Sequence, residues 1–437
     1  MNATAKIQVF FQLGFRNALR RGRRSFLVIT AGGTGMFGVI VSMTFMRGFS
    51  QSMTRNGVES TLGHAQIRPE TYNATRKTGL VIKNGSALRR ALDELETHPE
   101  ANFSYAPRLE REGVLRLGTF QRGVMIIGMD FEREKKVSSF HKWITAGKPP
   151  LKLSGTRARE GAPGIPGALI GRANALKMDA GPGDWAVISF TDKNGENRSA
   201  RVHIRGVFRS PTDTLDKYAV LLDRAALSRL YAGSDRVYGS FVFRGKELSQ
   251  ARTIANFLRD RLSGKNGLPS ASSYEILTYD ELEPAIPRLI RLSDQFLMIA
   301  IVIIMLGFAL LLFDTISMSV AERTREIGVI RALGARPAFA FWMTTAESVS
   351  LTMLGCLGGF LIASGLTWYF NKNGLSLAVF AEGMELLAGG AGVIHPYLTL
   401  KDALASFAAG LLTSLGASIP PAWKAAALNP VEAIHYR

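Results

Sequence analysis

The sequence holds a single cysteine, Cys356, among 437 residues. That excludes an intrachain disulfide framework and argues against a zinc site built from thiolates. Acidic residues are scarce, 35 against 53 Lys and Arg, and charged residues reach only 20%, below the ~25% usual in soluble proteins. No internal repeat is visible, so a solenoid or propeller is not supported. Hydrophobic residues make up 47%, too many for a disordered chain. Enzyme signatures are missing as well. Gly147-Lys148 is followed by Pro149 and Gly264-Lys265 by Asn266, so neither forms a phosphate-binding loop. There is no H-E-x-x-H and no G-x-S-x-G, and the six histidines stand singly. The expectation is a non-catalytic chain with no cofactor or metal of its own.

What is abundant is uninterrupted apolar sequence. Ser25–Met46 is 22 residues without a charge, and Phe296–Phe313 is 18 more. Phe339–Phe370 is broken only by Glu347, and Ala403–Pro420 carries no charge. A helix needs about 20 apolar residues to cross a hydrocarbon core of about 30 Å. The runs predict four transmembrane helices, at 25–47, 293–320, 339–370 and 402–420. The fourth, rich in Ala, Ser and Gly, also reads as a buried core helix. The first is too long for the core of a cleaved signal peptide.

Basic residues orient these spans. Lys6, Arg16, Arg20, Arg21, Arg23 and Arg24 precede the first, and Arg323, Arg325, Arg331 and Arg336 lie between the second and third. The positive-inside rule places both groups in the cytoplasm. Residues 1–24 then form a basic cytoplasmic or interfacial segment, with Phe10, Phe11 and Phe15 toward lipid. Residues 48–292 become a large extracytoplasmic domain, 371–401 an outer loop and 421–437 a cytoplasmic tail.

The outer domain carries 38 Lys and Arg against 26 Asp and Glu. These charges are dispersed, so a solvated basic surface, open to anionic headgroups, is expected rather than a nucleic-acid site. Its pattern is α/β or α+β. Strands are predicted at His64–Pro69, Val114–Leu117, Val124–Gly128, Trp185–Phe190, Arg201–Phe208 and Tyr274–Thr278. Helices are predicted from a Ser86 cap to about Thr97, over Ala168–Met178 and over Leu248–Leu262. Lys148–Pro166 reads as a loop and Gly181–Asp184 as a turn. Two subdomains are expected, one inserted near 130–210.

The stretch between the second and third spans, 321–338, is the most informative. Glu322, Arg323, Arg325 and Glu326 offer charges to a protein partner. Ile327, Val329, Ile330 and Leu333 offer an apolar set. Gly334 permits a left-handed helix end, and Pro337 opens the next helix. Taken alone, the segment also reads as a short membrane-surface helix with no partner.

Ser317–Ala335 resembles the signature of ABC-transporter permeases of the FtsX/MacB/LolC–LolE group, the type VII or mechanotransmission transporters. Other stretches fit in order: Phe15–Ser25, Gly63–Ile67, Ala168–Met178 with Gly183-Asp184, Gly206–Ser210 with Leu215-Asp216, and Pro420–Ala433. The resemblance is nearest the lipoprotein-releasing LolC/LolE branch. It implies four transmembrane helices and a MacB-like periplasmic core domain with a porter-like part. It makes Glu322, Arg323, Thr324, Arg325, Glu326, Ile327, Gly328, Ile330, Arg331, Leu333 and Gly334 a coupling helix for a separate, LolD-like ATPase, which would hold ATP and magnesium.

It further implies a second permease chain, identical or paralogous, a lipoprotein or other amphiphile as substrate, and a bacterial inner-membrane location with both termini cytoplasmic. Small residues Gly32, Gly33, Gly35 and Gly38, with Gly355-x-x-x-Gly359, are expected to pack helices closely, within a chain or between two. Glu347 is expected to act structurally near the coupling helix, with Arg331 or Arg336 as partner. Two other functions stay open. One is efflux through a periplasmic adaptor, as in MacB. The other is an FtsX-like scaffold that activates a cell-wall hydrolase.

Overall fold

The computed structural model describes residues 22–75, 77, 79–149, 165–210, 213–262, 273–376, 393–429 and 433. Expectations for residues 1–21, most of the Lys148–Pro166 loop, 377–392 and most of the tail lie outside that set. The chain divides into two compact units. One is helical, and the other, Gln51–Arg288, holds a large sheet.

Helix α1 (Gly22–Gly57) is the first element among the described residues and passes into one π-helical turn, Val58–Leu62. Gly63 follows at φ +63°. A Cβ there would stand 2.5 Å from Val242 Cγ1 and 2.6 Å from Phe243 O. Glycine alone satisfies both the conformation and the space.

The sheet unit continues with β1 (Ala65–Pro69), α2 (Gly85–Glu96), β2 (Phe103–Leu117), β3 (Phe120–Met129), α3 (Phe131–Val137) and β4 (Ile144–Gly147). Next come β5 (Gly167–Gly171), α4 (Arg172–Met178), β6 (Trp185–Thr191), β7 (Asn197–Phe208), β8 (Ala219–Asp223) and α5 (Arg224–Ala232). It closes with β9 (Ser240–Gly245), α6 (Ala251–Leu262) and β10 (Tyr274–Thr278).

Four strands, ordered β10-β1-β9-β2, are antiparallel throughout. Helices α2 and α6 cover them. Leu88, Leu92 and Leu95 of α2 and Ile254, Leu258 and Leu262 of α6 recur at helical spacing and share one core with Phe103, Tyr105, Phe241 and Phe243. Chain order β-α-β then β-α-β, in that spatial order, is the ferredoxin-like split plan.

Between its two halves the chain makes a second structure. Strands β2, β3, β8, β5, β7 and β6 pair in sequence, and β6 pairs back to β2. The ring is a closed six-stranded barrel. Every second residue points inward, and Leu115, Ile126, Ile170, Ile188, Ile204 and Leu222 fill the interior. Strand β2 serves both structures. Residues 103–108 pair with β9, and 113–116 pair with β6. The inserted part therefore runs from the middle of β2 to β9.

Three local expectations need correction. Residues 168–171 are strand, not helix, and only Arg172–Met178 coils. A short, wholly buried apolar run carries no period that separates the two. Ser86 is not the cap of α2, because Asn84 occupies that position in left-handed conformation, φ 51°, which asparagine tolerates. Strands β2 and β3 are longer than predicted, since closing the barrel extends pairing into segments that carry polar residues on the outside.

The helical unit holds most of α1, and then α7 (Ala285–Glu322), α8 (Thr324–Ala332), α9 (Pro337–Asn373) and α10 (Leu400–Ala427). Four of these, α1, α7, α9 and α10, are long and apolar enough to cross a membrane. Helix α10 does not stop at the expected Pro420 but continues through Pro420 and Pro421 to Ala427. On α7, Phe296, Met298, Ile303 and Leu310 are each more than 60% exposed, a surface that water would not tolerate.

Two measurements test this architecture. A Cβ at Gly113 would lie 2.5 Å from Ser189 O, where β2 passes to β6. Gly113→Val is expected to cost about 2 kcal/mol or more, read as a lower unfolding midpoint of the full chain in detergent. Burial pushes the Glu110 carboxyl up, but Arg68, at 2.8 and 3.0 Å, outweighs it with help from Arg108 and Arg111, so its pKa is lowered. Its stabilisation is present above the ordinary Glu value near 4.3 and fades as pH falls below it. Glu110→Gln should flatten that acid limb of the melting-temperature profile.

Candidate functional site

The segment between α7 and α9 is built as a tight hairpin. Helix α7 ends at Glu322, Arg323 stands at the cap of α8, and α8 runs nine residues. Gly334 takes φ +97° and donates to Arg331 O at 3.0 Å, which stops the helix. Pro337 is the first residue of α9, where its missing N–H costs nothing.

One face of α8 is bound to the chain's own helices. Thr324 Oγ1 donates to Ala321 O at 2.8 Å, and Ile327 and Gly328 are buried. Arg331 Nη1 donates to Ala426 O, and to Leu428 O at 3.0 Å. These are carbonyls at the C-terminus of α10, which have no partner within their own helix. A guanidinium there also opposes the negative end of the helix dipole.

Arg323 makes the second tie. Its Nη1 donates to Glu347 Oε2 at 2.5 Å and its Nε to Glu326 Oε2 at 3.2 Å. Glu347 lies ten residues into α9, about 15 Å from its start. Arg323 and Glu347 are both mostly buried, so each charge depends on the other. A cavity of about 40 Å³ beside them is lined by Ser25, Ser319, Thr344 and Ser348, room enough for a water molecule. The expected partners of Glu347, Arg331 and Arg336, are thus replaced by Arg323. Sequence order could not show that Arg323, 24 residues earlier, folds back onto it.

The opposite face of α8 is open. Arg325, Glu326 and Val329 are exposed, as is Glu322 at the end of α7, and Leu333 is 84% exposed. Ile330 is half-buried. The predicted apolar set therefore splits: Ile327 packs inward, and Val329 and Leu333 face out within a charged rim.

The packing glycines come together inside one chain. A Cβ at Gly355 would stand 2.2 Å from Ile29 O, and one at Gly359 2.2 Å from Gly33 O. Gly32 lies against Thr352 O, and Gly35 against the Phe308 ring. Cys356 is buried among them, its Sγ 3.8 Å from Gly32 O.

One ion pair was not anticipated. Arg47 Nη2 meets Asp402 Oδ1 at 2.6 Å, joining α1 to the start of α10, where Thr399 and Asp402 form a capping box. The Thr-x-x-Asp spacing before an apolar run was the signal available.

Residues 298–430 match the family model described as FtsX-like permease C-terminal. Over 420 residues, 92% of this chain and 91% of the relative, the sequence is 24% identical to the lipoprotein-releasing system transmembrane protein LolE of Haemophilus influenzae. Over 76% of this chain and 77% of the relative it is 21% identical to the corresponding LolC of Xylella fastidiosa. Residues 298–430 thus carry an FtsX-like permease domain, and the chain as a whole is similar to LolC and LolE. Among solved structures, the extracellular domain of the noncanonic ABC-type transporter YknZ from Gram-positive bacteria is similar over 49% of the permease and 98% of that domain, at 12% identity and a TM-score of 0.30.

The Arg323–Glu347 pair makes a distinctive prediction for the permease. Arg323→Ala leaves a buried carboxylate without its partner and is expected to cost up to about 3 kcal/mol. The double change Arg323→Met with Glu347→Met removes both charges and is expected to cost clearly less. Thermal unfolding of the three proteins in detergent measures this, and equal losses would show the pair to be unimportant.

Proposed function

We propose that this permease is the membrane subunit of an ATP-driven complex that releases or moves lipoproteins from a bacterial inner membrane. In this reading α1, α7, α9 and α10 span the bilayer, both termini are cytoplasmic, and the sheet unit lies outside as a MacB-like periplasmic core. The observation that carries it is the two-sided character of α8. One face is tied to α9 and α10 through Arg323–Glu347 and Arg331, and the other presents Leu333 and Val329 inside a rim of Glu322, Arg325 and Glu326. Such a helix suits docking into a groove of a separate, LolD-like ATPase that binds ATP and magnesium. The basic residues of 323–336 support the cytoplasmic placement. Similarity to LolE over nine-tenths of the chain supports the lipoprotein substrate.

The mechanism is mechanical. Closure of the ATPase shifts α8. Because Arg323 and Arg331 tie α8 to α9 and α10, the helices move with it. The long helices α1 and α7 carry that displacement to the outer domain, which changes shape and lifts the amphiphile without a channel. The apolar surface of α7 is covered by lipid and by a second permease chain, identical or paralogous.

The test is co-purification from the native membrane in mild detergent with a non-hydrolysable ATP analogue. A small Walker-A ATPase should accompany the wild-type permease. Leu333→Glu places a charge in the apolar contact, and the retained ATPase should fall about tenfold or more. A bound lipoprotein supports the substrate, whereas a periplasmic adaptor would favour efflux and a hydrolase a scaffold. Absence of any ATPase would sink the coupling reading.

A further inference from the structure

Within the sheet unit, the last turn that follows α1 is received by two buried side chains. Arg108 Nη1 donates to Thr61 O at 2.5 Å. Gln66 Nε2 donates to Leu62 O at 2.8 Å. Neither donor stands alone. Arg108 is held by Glu134 of α3, with Nε to Oε2 at 3.3 Å and a shorter second contact between Nη2 and Oε1, and both side chains are at least 97% buried. Gln66 Oε1 accepts from Arg68 Nε at 2.6 Å, and Arg68 makes a two-pronged contact with Glu110 at 2.8 and 3.0 Å. Two successive carbonyls at a helix end thus meet two donors, one held directly by a carboxylate and the other through Arg68.

The place of this clasp in the fold gives it meaning. Arg108 is the residue of β2 that pairs with both Ser240 of β9 and Met129 of β3. It marks the point where β2 leaves the split sheet and enters the barrel. The next two links follow at once, with Glu110 on the barrel side and Gly113 at the first pairing with β6. Gly63, just beyond the gripped carbonyls, donates to Val58 O at 2.9 Å, and His64 N donates to Phe243 O at 2.7 Å. The helix end therefore has no slack before it reaches the sheet.

A buried cation-to-carbonyl contact differs from surface packing. It is directional, it is stronger than a neutral hydrogen bond, and leaving its partners unmade is costly. Apolar contact alone would let a helix end slide. Thr61 and Leu62 cannot slide without stripping donors from buried charges.

We propose that Arg108 and Gln66 are positioning residues that deliver displacement of α1 to the sheet–barrel junction of β2. The proposal rests on the mechanical reading above and adds the joint through which it acts. Fixed at this joint, α1 turns the barrel relative to the split sheet. Without it, α1 moves and the barrel does not follow.

The test is hydrogen exchange on the full-length permease in nanodiscs with its co-purified ATPase, with and without AMP-PNP. Peptides covering 58–69 and 108–117 are read. In the wild type, and in Arg108→Lys, which keeps a charged donor, the nucleotide should change their exchange. The pair of changes Arg108→Met and Glu134→Leu removes both charges together, which buried pairs often survive. That variant should hydrolyse ATP like the wild type and melt only slightly lower, exchange 58–64 about fivefold faster, as expected for one lost hydrogen bond, and lose the nucleotide response at 108–117. A merely structural role would lower ATPase activity and melting temperature together. Should that variant not fold, Gln66→Met, which strips only the second grip, is expected to weaken the response. A full response in whichever variant folds overturns the clasp and leaves the mechanical reading standing. No response in the wild type overturns both.

Discussion

The helical unit depends on one approach distance. Helices α1 and α9 come so near that a methyl group at Gly355 or Gly359 would fall 2.2 Å from a carbonyl oxygen of α1. In lipid there is no hydrophobic gain from bringing two apolar helices together, so contact of this kind must come from van der Waals packing between small residues. The consequence is visible along the pair. Gly32, Gly33 and Gly35 are committed within the chain, and Cys356 serves as a small buried neighbour. Any second permease chain must therefore use other surface, and among the described residues α7 exposes a long series of large hydrophobic side chains.

Given that packing, the ionisable groups of the unit have few places to go. Arg47, ten residues before the end of α1, pairs with Asp402 at the start of α10. Arg323, just past the end of α7, pairs with Glu347 ten residues into α9. Each joins helices that are distant in sequence, and each charge is neutralised where desolvation would otherwise penalise it. Arg331 extends the same logic to the carbonyls that end α10. The short helix α8 is consequently held from behind by two guanidinium groups, while Val329 and Leu333 stay exposed on the other side. A helix of nine residues would be marginal alone in water, so the internal ties, rather than its own propensity, give it a fixed surface.

The sheet unit answers a different problem. A split β-α-β sheet has a complete core once α2 and α6 cover it, yet its second strand continues into a closed barrel with a core of its own. Sharing β2 between the two structures concentrates their connection in a few residues. Those residues carry buried charge where an ordinary strand would carry valine or isoleucine. Such groups stabilise little against an apolar alternative, but they fix geometry at the helix end and at the strand that must serve two sheets.

The sequence by itself determined the four long apolar helices, though not where each one ends, together with the glycine stripes and the turn residues of 321–338, because these rest on local properties: length of apolar run, charge at the boundaries, glycine and proline at helix ends. It also marked most strands by alternation. It did not determine that residues 168–171 are strand, since burial on every side erases the period that separates strand from helix. Nor did it determine the barrel, which exists only because β6 returns to β2 across more than 70 residues of chain. The partners of Arg323, Arg331 and Arg108 were equally out of reach: Glu347, the end of α10 and Thr61 lie 24, 95 and 47 residues away. A side chain's type announces that it needs a partner when buried. Which partner it finds is decided by how the elements pack.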